Sequence, residues 1–375
     1  MRPSLHIGMT LLAVSWSCAA TPYVPRKPEL RGSWEQYVRG YVQRDGRVID
    51  QTMGSITTSE GQAYAMLRAV WMRDAGTFED LRVWTRDNLQ GGDADALPAW
   101  KWGQQEGGAW GVLDANPATD ADLLMAWALI GAGDAFREAR YTSQGLAMAR
   151  RAWDAETLEL PGGRVLLPGP WAATGDPVWI NPSYFVPFVF RALAVVDPDR
   201  PWLELVDSSY RVLSESQQAY GLPSDWCFLD RSTGRLVPPP AGEEQRVDFG
   251  FEAMRIPWML AAETRWHDEP RARQLLVQMD LLAERFLRDG RIPAVIAPHG
   301  QARVEWESRA LYGALLPDWA ARHPDLIGKL HDRVDALAAT PRPAAQQGRD
   351  YYAANWVWFG EALWSGLAQP LVELP

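Results

Sequence analysis

The sequence predicts an all-α protein built as an (α/α)6 toroid, a barrel of six inner and six outer helices. Three observations lead there. Apolar residues recur with the helical period almost everywhere beyond residue 28, and strand-like alternation is nearly absent. The periodic segments number twelve, at 33–44, 59–73, 77–89, 120–131, 135–153, 182–196, 201–218, 250–266, 270–287, 307–320, 324–338 and 351–367. The links alternate in length. Those after even-numbered segments are short, as at 74–76 and 197–200, while those after odd-numbered ones are long and rich in Gly, Pro and Trp, as at 90–119, 154–181 and 219–249. Short links make antiparallel neighbours, so the chain reads as six helical hairpins joined by long loops.

Each element has its own signal. Ser59-Glu60 opens the second segment as a cap with a first-turn acid, and Asp74-Ala75-Gly76 turns the chain into the third. Thr119-Asp120-Ala121-Asp122 opens the fourth in the same manner, and Arg137-Glu138 charges the face of the fifth. Asn181, Ser183 and Tyr184 stand at the start of the sixth. Glu252 and Arg255 lie in the eighth, where an i,i+3 ion pair is their simplest reading. Arg271-Ala272-Arg273 charges the ninth, Glu305 and Glu307 lie at the tenth, and Tyr351, Tyr352, Asn355 and Trp356 open the twelfth. The even segments are richer in Ala, Gly, Leu, Met and aromatics, which marks them as the inner ring. Their N-termini then share one end of the barrel, where acidic, amide and aromatic residues converge. No internal repeat is visible, so a consensus solenoid is disfavoured.

Composition narrows the function. With 47% hydrophobic and 22% charged residues the chain is an ordinary globular one, not disordered, collagen-like or a coiled coil. A net charge of −10 gives no footprint for nucleic acid or an anionic membrane. Two cysteines, Cys18 and Cys227, make no disulfide scaffold, and five scattered histidines make no metal cluster, so no metal or cofactor is expected. Tryptophan stands out at 20 of 375 residues. Each indole must place an N–H as well as bury a ring, so this number points to extended surfaces that stack on sugars. Trp100, Trp102, Trp110, Trp171, Trp179 and Trp226, all in long loops, are the candidates.

Residues 1–20 read as a secretory signal, with Arg2 before an apolar run from Ile7 to Trp16 that ends in Ser17-Cys18-Ala19-Ala20. Cleavage after Ala19 or Ala20 gives a periplasmic or secreted protein; cleavage before Cys18 gives one lipid-anchored through that cysteine. Residues 21–28, with three prolines, read as a tether, and 29–375 as one domain with no later segment able to cross a bilayer. The mature chain is expected to be a monomer.

Several carboxylates facing an indole-lined cleft suit acid–base cleavage of a glycosidic bond, which needs one carboxylic acid on the leaving oxygen and a second carboxylate for water or the anomeric carbon. Taken singly, Glu60 reads first as a helix-start acid and Glu252 as an ion-pair partner of Arg255, while Asp120 fits a cap or solvated acid and a catalytic group alike; the convergence favours catalysis.

Four segments in order resemble glycoside hydrolase family 8: Ser59-Glu60-Gly61-Gln62-Ala63-Tyr64-Ala65-Met66, Thr119-Asp120-Ala121-Asp122-Leu123, Asn181-Pro182-Ser183-Tyr184-Phe185, and Gly250-Phe251-Glu252-Ala253-Met254-Arg255-Ile256-Pro257-Trp258. Within the family the chain most resembles the periplasmic endo-β-1,4-glucanases of bacterial cellulose synthesis systems, sharing the loop from Leu97 to Gly103. The resemblance implies the same toroid and an endo-glycosidase that inverts the anomeric centre of a β-1,4-glucan or a related exopolysaccharide. It implies Glu60 as general acid, Asp120 as the carboxylate that holds a distorted sugar, and Asp122 in support. Asn181, Tyr184, Arg255 and Tyr351 join the indoles as substrate-binding residues. The family places Asp where this chain has Glu252, the candidate base. Partners implied are a β-linked polysaccharide and the machinery that synthesises and exports it. The alternative is a glycan-binding component of a secretion system that has lost its base; a lyase is a third reading.

Overall fold

The computed structural model describes residues 24, 26–340 and 350–373. The signal expected over 1–20 lies outside these residues. The last residues of the expected tether, 27 and 28, are helical instead: α1 (Lys27–Tyr41) begins at Lys27, and Glu29 accepts the Arg26 backbone N–H at 2.8 Å in a capping box.

Twelve further α-helices follow among the described residues: α2 (Ser59–Met72), α3 (Ala75–Asn88), α4 (Thr119–Phe136), α5 (Ala139–Glu156), α6 (Pro187–Val196), α7 (Trp202–Tyr220), α8 (Ile256–His267), α9 (Pro270–Gln278), α10 (Leu281–Asp289), α11 (Arg309–Arg322), α12 (Ile327–Ala339) and α13 (Tyr351–Ser365). They pair and alternate as the link lengths predict. Helices α2, α4, α6, α8, α11 and α13 are buried along nearly every face and form the inner ring, and the others carry an exposed face. The expected ninth helix is two, α9 and α10, broken at Met279–Asp280. No proline or glycine breaks it; Asp280 is held from outside by Arg322 at 2.6 Å and His323 at 3.0 Å. The sixth and eighth helices start later than expected. Short 3-10 turns, Pro182–Tyr184 and Ala253–Arg255, precede them, and Pro187 and Pro257 sit in the first turns of α6 and α8.

The long loops contain strands that the helical period conceals. A sheet joins β1 (Thr57–Thr58), β2 (Lys101–Gln104) and β3 (Trp110–Asp114); β4 (Thr157–Leu160) pairs β5 (Gly163–Leu166); and β6 (Val178–Ile180), β7 (Cys227–Leu229) and β8 (Leu236–Val237) form a third sheet. All pairings are antiparallel. Cys227 is buried with a free thiol.

Half of the tryptophans are buried, which corrects the sequence reading of the indole excess. Trp71, Trp127, Phe188, Trp258, Trp356 and Phe359 meet edge-to-face or tilted along the barrel axis, with ring centroids 5.2–6.2 Å apart. Indoles fill the wide interior of a six-helix ring; Trp258 donates to the Phe359 carbonyl at 2.8 Å and Trp71 to the Gln369 carbonyl at 2.9 Å, while Trp127 and Trp356 bury their N–H groups without a partner among the described residues. Asn355 and Trp356, expected at the cleft, also point inward: Asn355 accepts from the buried Arg68 at 2.9 Å. Among the described residues no helix is long and apolar enough to cross a membrane.

Helices α11 and α13 close on each other at glycines. A Cβ on Gly360 would lie 2.0 Å from the Gly313 carbonyl oxygen, and one on Gly313 would meet the Trp356 backbone at 2.6 Å. Gly360→Ala is therefore expected to force the helices apart and cost about 3 kcal/mol, read as a lower midpoint in urea unfolding.

Candidate active site

The inner helices deliver their N-termini to one end of the barrel. Thr58 caps α2, its Oγ1 accepting the Gly61 N–H at 3.1 Å, which leaves Glu60 in the first turn free of capping. In α4, Asp120 accepts the Ala121 N–H at 2.8 Å through one oxygen. Asn181 caps the 3-10 turn before α6, accepting from Ser183 N at 3.1 Å and from the Ser183 hydroxyl at 2.6 Å. Glu252 and Arg255 come from the turn that leads into α8.

Arg255, only 2% exposed, joins them. Its Nη1 donates to Glu60 Oε2 at 2.9 Å, Asp120 Oδ2 at 2.8 Å and the Tyr64 hydroxyl at 3.3 Å. Its Nη2 donates to the Ser183 hydroxyl at 2.7 Å and to Glu252 Oε2, which also accepts from Asn181 Nδ2 at 3.1 Å. Glu60 and Glu252, 192 positions apart in the chain, thus bracket one guanidinium. Above it opens a cleft of about 820 Å³ lined by Glu60, Asp120, Glu252, Trp100, Tyr184, Tyr351 and Tyr352, with Asp50, Phe251, Trp306 and Glu307 around them.

The chain is also similar to known proteins. The chain matches "Glycosyl hydrolases family 8" over residues 4–301. It belongs to that family. It is similar to an endoglucanase of Escherichia coli (strain K12), 39% identical over 228 residues, which are 60% of each chain. The match thus spans about 60% of that relative's length. An endoglucanase of Xanthomonas axonopodis pv. citri (strain 306) is 40% identical over 260 residues, 68% of this chain and 66% of the relative. Among solved structures, an endo-1,4-D-glucanase from Vibrio fischeri ES114 superposes with a TM-score of 0.77 at 29% identity, covering 88% of this chain and 94% of that one. A β-1,3-1,4-glucanase from Paenibacillus sp. X4 shares the fold, with a TM-score of 0.76 at 19% identity over 93% and 95% of the two chains.

In this family 8 chain the carboxyls at the cleft differ in environment. Burial raises the Glu60 pKa to about 7; Arg255 pulls it down, and Asp120 and Asp50 push it up. The helix N-terminus favours the anion, so burial outweighs the dipole. Burial also raises Asp120, against the pull of Arg255.

Asp122 does not reach the cleft. Residues two apart on a helix point about 200° apart, and Asp122 is fully buried behind Asp120 with its carboxyl against Glu156. Burial, followed by the charge of Glu156, raises Asp122 well above the carboxylate range, and burial raises Glu156 to about 8. Such a pair shares a proton. The predicted indoles separate into groups. Trp100 lines the cleft. Trp102 and Trp110 stack at 5.3 Å on the β2–β3 hairpin, with the Arg47 guanidinium 4.4 and 4.6 Å from their ring centres. Trp171, Trp179 and Trp226 form a third cluster, at 5.8–6.3 Å. Only Trp110 and Trp171 of these five are strongly exposed. Asp248, four residues before Glu252, accepts from Arg303 at 3.0 Å and does not line the cleft. Sequence reasoning missed Asp50, Trp306 and Asp225, which lie in loops with no periodic or motif signal.

Carbon-13 NMR titration of the Glu60 carboxyl is expected to give a midpoint near pH 7. Because the Asp120 charge raises that value, Asp120→Asn is expected to move the midpoint to lower pH.

Proposed function

We propose that this chain is an inverting endo-glycosidase acting on a β-1,4-linked glucan or a related bacterial exopolysaccharide, with Glu60 as general acid and Glu252 as general base. The observation that carries this reading is the pair itself: two carboxyls on opposite nitrogens of one buried guanidinium, both facing one cleft, with Glu60 still half protonated near neutral pH. Glu60 gives its proton to the leaving glycosidic oxygen as that bond breaks. A water attacks the anomeric carbon from the opposite face, and Glu252 takes its proton. Glu252 Oε2 is engaged by Arg255 and Asn181, while Oε1 has no hydrogen bond among the described residues and is the oxygen free to meet water. Inversion needs roughly 6.5–9.5 Å between the carboxyls, leaving room for one water. Asp120 is the carboxylate placed to hold the ring at the cleavage point, and Tyr184, Tyr351 and Trp100 offer the walls.

We take residues 29–375 as a single catalytic domain behind an export signal at 1–20, with a tether before α1. On this reading the enzyme works in the periplasm or outside the cell, beside the machinery that makes and exports its polymer.

Glu60→Gln and Glu252→Gln are each expected to lower reducing-end release from carboxymethyl cellulose by about 10²–10⁴-fold while the thermal transition is kept. Full activity in either variant sinks the role of that residue. Activity of the unmodified chain is expected to fall as pH rises through about 7, because Glu60 loses the proton it must donate. Proton NMR of early products should show the α-anomer first; the β-anomer would overturn inversion.

A further inference from the structure

The start of α8 is capped from outside its own sequence. Neither Glu252, which precedes the 3-10 turn, nor Arg255, which precedes α8, makes a side-chain cap. Instead one oxygen of Asp225, from the loop between α7 and β7, accepts three main-chain N–H groups: Gly250 at 2.9 Å, Glu252 at 3.2 Å and Ala253 at 2.8 Å. N–H groups at a helix start have no partner within the helix, so this carboxylate takes up donors that would otherwise be orphaned. The fit is close, since a Cβ on Gly250 would stand 2.6 Å from the other Asp225 oxygen. Backbone bonds from Asp225 N to Asp248 O at 2.7 Å and from Trp226 N to Arg246 O at 2.9 Å bind the two segments side by side. Asp225 is not part of the cleft lining. Its neighbour Trp226 belongs to the third indole cluster, 5.8 Å from Trp179.

We propose that Asp225 is a positioning residue for hydrolysis: its carboxylate fixes the main chain that carries Glu252, and so sets where the base carboxylate stands. This rests on Glu252 being the base. The long side chain of Glu252 makes the anchoring matter, because it has one more rotatable bond than the family's Asp. Its Oε2 contacts and the main chain beneath it are what hold it. A displacement on the order of 1 Å is worth about a hundredfold in rate. The same clamp joins the indole cluster to the base through one peptide bond.

The test is steady-state kinetics on carboxymethyl cellulose for Asp225→Ala, Asp225→Asn and Glu252→Gln. Asp225→Ala is expected to lower kcat roughly 10- to 100-fold with KM within about twofold. Asp225→Asn keeps an oxygen to accept the three N–H groups and is expected to restore most of kcat. An Asp225→Ala enzyme with normal kcat, one altered only in KM, or an Asn variant as impaired as the Ala variant would each overturn the proposal. If Asp225→Ala does not fold, Gly250→Ala takes its place. The added methyl pushes the carboxylate off its seat and should lower kcat at constant KM, and full kcat there also overturns the idea. Glu252→Gln separates the two levels. If that variant retains wild-type kcat, the base assignment fails; if it is inactive while Asp225→Ala is fully active, the base stands and the positioning role falls.

Discussion

One buried cation organises this end of the barrel. Arg255 holds Glu60 from α2, Asp120 from α4 and Glu252 from its own turn, and the Ser183 hydroxyl from the turn before α6 accepts from it as well. Bringing three carboxylates together beneath a cleft would be prohibitive without a counter-charge, and a guanidinium suits the task because its fixed fork offers donors in several directions at once. The charge is desolvated and must stay compensated, which the three carboxylates do jointly, so neutralising one leaves two in place. The inner helices must therefore converge at their N-termini with little freedom, and the geometry of the cleft follows from that convergence.

The rest of the barrel makes such convergence rigid. Aromatic rings fill its axis, and glycines bring α11 and α13 into backbone contact. The loops supply what helices cannot. The β2–β3 hairpin carries the exposed Trp110, a 3-10 turn carries Trp171, and the Asp225 clamp gives the turn before α8 a cap that its own residues lack. Glu60 and Asp120 ride on the scaffold helices themselves, while loops positioned by that frame add cleft walls such as Trp100 and Trp306.

Electrostatics divides the carboxyls by depth. Glu60 borders the cleft and sits near neutral pH, a balance of burial and neighbouring acids against Arg255. Asp122 and Glu156, lower down and without a cation, are pushed toward the shared-proton state. These are different outcomes for similar groups on neighbouring helices, and distance from Arg255 separates them.

Much of this was present in the linear chain. Helical periodicity and alternating link lengths are local properties, so the double ring could be counted before any contact was known, and Glu60, Asp120 and Glu252 stand in short motifs at helix starts. Direction could not be read so easily. Asp120 and Asp122 look alike in sequence, yet the pitch of α4 turns one to the cleft and the other to Glu156. The indoles were read as sugar platforms, but half of them pack inside, because a composition records how many rings there are and not which side of a helix they occupy. The break at Met279–Asp280, the β1–β2 and β6–β7 pairings and the Asp225 clamp depend on partners tens of residues away, and only folding brings those partners within bonding distance.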